Sequence, residues 1–328
     1  MNPLNMSRRT VAFAALAACV AGACAPALAQ GAWPSKPLRM VVPYSAGGGA
    51  DNAARILAQR LSATLGTQVV VDNRPGASGM IGAQAVAKAD PDGYTVLYDS
   101  STFAVNPSLR KMSFDPAKDL MPISLVVTVP NILVVPAKSP DANFKAFLER
   151  ARSHPGQVAF ASYGAGSPAH LAGELLNREA RVSMLHVPYK GGAPALADVI
   201  GGQVDAYFAN AGSGLGYVQS GQVKALAVTS RERMALLPQV PTVAESGFPD
   251  FEVLEWNGVF LPAGTPKPIA DRLAAEVQAA VKDPETRARL VKLGADPVGG
   301  TPAAFATFLS GQTQRWAKLI QANKITAD

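Results

Sequence analysis

Short apolar runs alternate along the chain with longer stretches whose apolar positions recur every three or four residues. "LRMVV" reads as a strand. The stretch after it places Ala54, Leu57, Ala58, Leu61 and Leu65 on one face of a helix near 51–65, with Gly66 as its stop. "QVVVDN" is the next strand, followed by the glycine-rich turn "RPGASGMIG" and a helix to about Ala89; "DGYTVLYDSS" is a third strand, ending at Ser100, Ser101 and Thr102. "NILVVPA" after Pro130 opens a new region, whose helix at about 140–153 leads to the strand "QVAFAS". Ser167 followed by Pro168 marks a helix start, because a capping hydroxyl precedes a residue with its φ already helical. "SMLHVPY", "VDAYFAN" and "VKALAVTS" are further strands, with a short helix ending at Ile200 between the first two. From "VFLPAGTP" onward three helices are expected, at roughly 267–281, from Asp283-Pro284 to Gly294, and from Thr301-Pro302 to about Gln321. Such alternation is the pattern of an α/β fold with largely parallel sheets.

The first residues have a different character. Arg8 and Arg9 precede an apolar run from Val11, and Ala27-Leu28-Ala29 stands before Gln30, the pattern of a cleaved export signal, too short for a stop-transfer helix. Cleavage is expected after Ala29 and release into the periplasm. The paired arginines leave a twin-arginine route open, and Leu16-Ala17-Ala18-Cys19 offers a lipoprotein site at Cys19 as the alternative. Both cysteines, Cys19 and Cys24, lie in this segment, so the mature body has no thiol for a disulfide, a zinc site or a nucleophile. Its roughly 300 residues must be held by core packing, in about two domains. Losing Arg8 and Arg9 takes the net charge from +6 to +4, and the cations are scattered, so no nucleic-acid partner is expected.

"PYSAGGGADNAARILAQRL" sets three glycines between a strand and a helix. Glycine lets backbone approach a ligand closely, and a helix start presents unpaired N–H groups with partial positive charge. "SYGAGSPAH" at 162–170 repeats the arrangement. The chemistry this implies is an anion held by amides; ordinary turn chemistry is the competing explanation for each junction taken alone. Catalytic signatures are missing: "AGGGAD" does not fit G-x-G-x-x-G, and G-K-[ST], H-E-x-x-H and G-x-S-x-G do not occur. With no thiol and three scattered histidines, neither an enzyme nor a metal or other cofactor is expected.

"WPSKPLRMVVPYSAGGGADNAARILAQRL", "VVVDNRPGASGMIGAQAVAKADPDGYTVLY", "NPSL", "HVPYKGGAPALADVIGGQVD", "KALAVTS", "LPQVPTVAESG", "LPAGTPKPI" and "LGADPVGGTP", in this order, are similar to the Bug-type solute receptors of tripartite tricarboxylate transporters. The resemblance implies a two-lobed periplasmic binding protein fold (type II, Venus-flytrap) with a central ligand cleft. Lobe one would be 30–131 plus 257–328 and lobe two 132–256. It implies a monomer that binds a small carboxylate, an aromatic, di- or tricarboxylic acid or an acidic amino acid, and delivers it to membrane permease subunits. A sensory receptor signalling to a kinase, or less readily a secreted hydrolase, is the alternative.

The ligand residues expected on this basis are Tyr44, Ser45, Gly48, Gly49, Ala50 and Asp51 at the first junction and Ser162, Gly166, Ser167 and His170 at the second. Ser101, Phe103, Tyr189 and Asn210 join them at strand ends, where open α/β sheets bind ligands. Asp51 is read first as a cap of its own helix, and His170 equally as a donor or as a surface imidazole. His154 and His186 carry no partner signal. Phe103 and Ala209 stand where the family often has His and Asp, which points to a more apolar acid; Trp256 reads as a buried hinge residue, with ligand stacking as the alternative.

Overall fold

A computed structural model describes residues 33–327, so the export signal lies outside the described residues. Strand β1 (Leu38–Val42) is apolar at nearly every position because it is covered on both faces. It leads into α1 (Gly49–Leu65), which buries Ala54, Leu57, Ala58, Leu61 and Leu65 and ends on Gly66 in the left-handed conformation (φ 67°). Next come β2 (Val69–Asn73), a single 3-10 turn at Ala77–Gly79, α2 (Met80–Ala87), β3 (Thr95–Ser100) and α3 (Thr102–Leu109). The turn α4 (Pro116–Asp119) precedes the long strand β4 (Leu120–Pro136). Then follow α5 (Phe144–Ser153), β5 (Ala159–Ser162), α6 (Pro168–Ala180), β6 (Leu185–Pro188), α7 (Gly192–Ile200), β7 (Ala206–Asn210), α8 (Ala211–Gln219) and β8 (Val223–Val228). The chain closes with β9 (Leu254–Pro262), α9 (Lys267–Lys282), α10 (Pro284–Lys292), β10 (Asp296–Pro297) and α11 (Pro302–Asn323).

The strands join in the order β2-β1-β3-β9-β4-β7-β5-β6, with β8 and β10 also paired to β4. The β1–β2, β1–β3, β5–β6 and β5–β7 pairs are parallel, as βαβ crossovers require, whereas β9 runs antiparallel to both β3 and β4. Lys36–Asp328 forms a single compact unit. Four of its helices begin on a side chain that accepts the amide three residues on: Asn143, Ser167, Asp283 and Thr301. The last three are each followed by proline.

The break expected at Pro130 is absent, for β4 runs through it without interruption. Up to Pro130 the strand pairs with β9; from Asn131 it lies between β7 and β8. Pro130, opposite Leu254, therefore puts its missing N–H where the partner changes and the ladder loses least. Two helices were not legible in the sequence: α3, which contains Pro107, and the glycine-rich α8. Trp256 is fully buried, edge-on to Phe305 and Phe308, so it packs the core.

Candidate functional site

The loop between β1 and α1 is anchored through Asp51. This buried carboxylate accepts the Gly47 amide (2.8 Å), Arg55 Nε (2.9 Å) and Asn73 Nδ2 (2.9 Å). Burial by itself would raise the acid's pKa, but the bonds from Arg55, Gly47 and Asn73 outweigh it and hold the carboxyl below its usual range. Asp51 thus braces its own loop, with Gly47 at φ 83° completing the turn. Ser45, Gly48 and Gly49 are exposed and Ala50 is buried. The helix starts at Gly48 without a side-chain cap, and the amides of Gly48, Gly49 and Ala50 find no acceptor among the described residues. The N–H groups of the first turn stay open to a ligand.

Tyr44 ties this loop to the end of β3. Its hydroxyl donates to Asp99 Oδ1 (2.7 Å) and lies 2.6 Å from Ser100 Oγ and 2.7 Å from Thr102 Oγ1. Burial pushes the Asp99 carboxyl up to about 7, against the lowering effect of Tyr44 and the Ser100 amide. Ser101, next to Ser100 in the chain, is buried, its hydroxyl without a partner among the described residues. Phe103 is buried and stacks on Phe260, ring centroids 4.5 Å apart, so it serves the core and its apolar character follows from packing.

The second junction is tied together by two imidazoles. Ser167 caps α6 by accepting the His170 amide (3.3 Å), and His170 Nδ1 accepts the Gly166 amide (3.1 Å), which fixes the imidazole proton on Nε2. Ser162 Oγ lies 2.7 Å from His186 Nε2 and 3.1 Å from the Gly164 carbonyl. His186, for which the sequence offered no partner, stacks on His170 and joins it, Glu174 and Asn323 around a cavity of about 240 Å³. Tyr189 donates its hydroxyl to Asp198 (2.6 Å). A Cβ on Gly166 would strike Leu109 of α3, while Thr102 at the other end of that helix touches Tyr44. Helix α3, about 10 Å long, thus runs from the neighbourhood of one junction to that of the other.

Between them the sheet carries a polar row that sequence reading missed, apart from Asn210. Paired residues share a face of a sheet, and so do residues two apart on one strand. Ser100 pairs with Asn257, Glu255 lies two residues before Asn257 opposite Val129, and Asn131 two residues beyond Val129 pairs with Asn210. All five polar side chains thus fall on one face, across β3, β9, β4 and β7. Glu255 Oε2 accepts Tyr163 Oη and Asn210 Nδ2, both at 3.0 Å. Asn210 Oδ1 meanwhile accepts the Gly212 amide at the start of α8 (2.9 Å). Tyr98 and Tyr207 are fully buried and feel the charge of Glu255, which adds to burial in raising their pKa values. Among the described residues their hydroxyls have no partner, nor have Asn257 Nδ2 and both amide atoms of Asn131. Buried polar atoms are almost always paired, so these atoms have bonds to give to a guest or to ordered water. The one signal in the sequence was a set of Asn, Glu and Tyr inside strongly apolar strand segments.

Comparison with known proteins agrees with this geometry. The chain matches the model of the tripartite tricarboxylate transporter family receptor over residues 53–325. It is 37% identical to protein BugT of Bordetella pertussis, covering 97% of this chain and 98% of that one. Among solved structures it resembles the periplasmic binding protein BugD (39% identity, TM-score 0.78, covering 90% of this chain and 99% of that one). It also resembles R. palustris Rpa4515 with adipate (34% identity, TM-score 0.81, covering 90% and 99%). A mixed α/β sheet, open amides at one strand–helix junction and a sheet face rich in unpaired polar atoms suit a solute receptor, and the chain belongs to the tripartite tricarboxylate transporter receptor family, of the Bug type.

Proposed function

We propose that this chain is a periplasmic receptor that captures a small carboxylate and delivers it to the permease subunits of a tripartite transporter. In this reading 30–131 plus 257–328 form one lobe and 132–256 the other, and the acid lies between them. One carboxylate is clasped by the amides of Gly48, Gly49 and Ala50, with the hydroxyl of Ser167 facing it from the second junction. The observation that carries the reading is the set of amides at Gly48, Gly49 and Ala50 that open a helix after a strand and find no acceptor among the described residues. Amide bonds to a charged group contribute about 1.5–3 kcal/mol each, so a few suffice for micromolar affinity. The adipate held by the R. palustris relative is of this ligand class.

The test is thermal denaturation of the mature protein with adipate, citrate, benzoate and aspartate. A saturating ligand at 100 times its Kd should add about 2.7 kcal/mol of stability. The acid should be recovered unchanged. No stabilisation by any acid, or chemical conversion of the acid, would refute the receptor role. Delivery is tested separately, by restoring uptake in cells that express the permease subunits with and without this chain.

A further inference from the structure

A groove of about 670 Å³ lies between α6 and α11, lined by none of the residues of the candidate site. Its floor is apolar, from Leu175, Trp316 and Leu319, all buried. Its walls are basic. Arg178 and Arg181 stand three residues apart at the end of α6, and Arg315 and Lys318 three apart on α11, so each helix brings two cations to one face. The dipole of α6 favours cations at its end, which accounts for Arg178 and Arg181. It does not account for Arg315 and Lys318, which lie inside α11, a helix with no acidic residue along its length.

Against these four cations Glu179 is the one carboxylate that lines the groove, and both Arg315 and Arg178 act on it. Arg315 is held in place: its guanidinium lies over the Trp316 ring, 5.0 Å from the centroid, and donates to the Asp250 carbonyl (3.5 Å). Glu252 and Asp250 offset its charge from the segment before β9. Arg181 and Lys318 are different. Both are exposed, and among the described residues neither side chain has a hydrogen-bond or ion-pair partner.

The shape and charge of the groove narrow what fits it. From Gly311 to Leu319 the α11 wall is about 12 Å long, room for about four residues of extended chain. Aspartate or glutamate side chains on such a chain match the forked guanidinium of arginine and the point charge of lysine. A densely charged phosphate chain would be repelled by Glu179. Among the described residues neither helix exposes a large apolar side chain, so the face has nothing to insert into a bilayer. Because α6 lies in 132–256 and α11 in 257–328, a partner seated here touches both segments at once. Asn323 of α11 donates to the Glu174 carboxylate of α6 (3.0 Å) and ties the two walls together.

We infer that the groove between α6 and α11 is a docking surface that takes an extended acidic segment of the permease. The inference rests on the receptor reading above and adds the face by which the receptor is recognised.

Co-sedimentation of the mature protein with membrane vesicles, prepared with and without the permease subunits, tests it; adipate, citrate, benzoate and aspartate are all present. Wild type should bind the permease vesicles at least tenfold more tightly than the plain ones, and more weakly as salt rises, because exposed charges are screened. Arg181→Glu combined with Lys318→Glu should weaken that binding and uptake at least tenfold, with melting temperature and acid-induced stabilisation unchanged. Arg181→Gln combined with Lys318→Gln, a milder change should the reversal fail to fold, should lose part of both. Lys111→Glu combined with Lys138→Glu alters the charge equally on exposed residues outside the groove and should bind as wild type does. Undiminished docking of the groove variants overturns the inference, as does an equal loss in the Lys111 and Lys138 variant or docking that salt does not weaken. Equal binding to plain vesicles overturns it in favour of lipid headgroups. Stabilisation by an acid without any permease binding overturns it while leaving acid capture intact; stabilisation by no acid removes both.

Discussion

The rings of His170 and His186 lie parallel, their centroids 3.7 Å apart and their planes inclined by 7°. Two imidazolium ions could not share that arrangement. Burial, together with the neighbouring His186, brings the pKa of His170 down to about 3, and burial brings that of His186 down to about 4. Both rings are thus neutral in the folded protein and titrate near 6.5 in the unfolded chain. The stability they contribute is complete above pH 6.5. It is lost as pH falls from there toward 4, because only the unfolded chain takes up their protons. The His186→Gln variant removes one such proton. Its unfolding free energy, followed by denaturant titration, should fall less steeply with acid than that of wild type, by up to about 1.4 kcal/mol per pH unit. Equal slopes would show that the stack does not hold the rings neutral.

The Tyr44 hydroxyl is the knot between the first junction and β3. Its removal in Tyr44→Phe leaves Asp99, Ser100 and Thr102 without their shared partner and should cost about 1–3 kcal/mol. Asp99 adds a pH dependence of opposite sign to that of the histidines. With its folded pKa raised to about 7, the folded state holds this proton longer than the unfolded chain, so its contribution is largest in acid and is lost between about pH 4 and 7. Asp99→Asn should abolish that component. A pH series of melting temperatures that is unchanged in this variant would place the titration elsewhere.

Asp51 makes a separate prediction about binding. Three bonds hold its carboxylate to the loop it braces, and alanine would release Gly47, Arg55 and Asn73 together. Loss of a buried acceptor of this kind costs about 1–3 kcal/mol. The released loop must then be ordered again when the ligand arrives. Asp51→Ala should therefore lower affinity for the bound acid as well as the melting temperature, and Asp51→Asn should recover part of both. Full affinity in a destabilised Asp51→Ala would mean that the amides of Gly48 to Ala50 do not meet the ligand.

The strand and helix pattern was legible wherever a local signal and the tertiary structure agreed. Ser167 with Pro168, Asp283 with Pro284 and Thr301 with Pro302 each began a helix as read, because a cap followed by proline needs no distant partner. Pro130 misled for the opposite reason. Its cost in a strand depends on which neighbour needs its N–H, and that is decided by the register with β9 and β7. The candidate site shows the same division. The junction glycines announce themselves in the sequence. Glu255, Asn131 and Asn257 are set side by side only by cross-strand pairing, between residues that can be more than a hundred positions apart. Phe103 was read as a clue to the ligand, although its neighbour Phe260 lies on a strand far along the chain.

The unbroken course of β4 limits how relatives of this chain can exchange parts. A chimaera joined between Pro130 and Asn131 would be spliced inside a ladder, and the incoming segment would inherit the register that its host fixes through β9. Because a slip of one residue turns every side chain to the opposite face, Asn131 would leave the polar row and an aliphatic neighbour would replace it. Transplanting ligand preference therefore requires β4 and β9 to travel together as one inherited block.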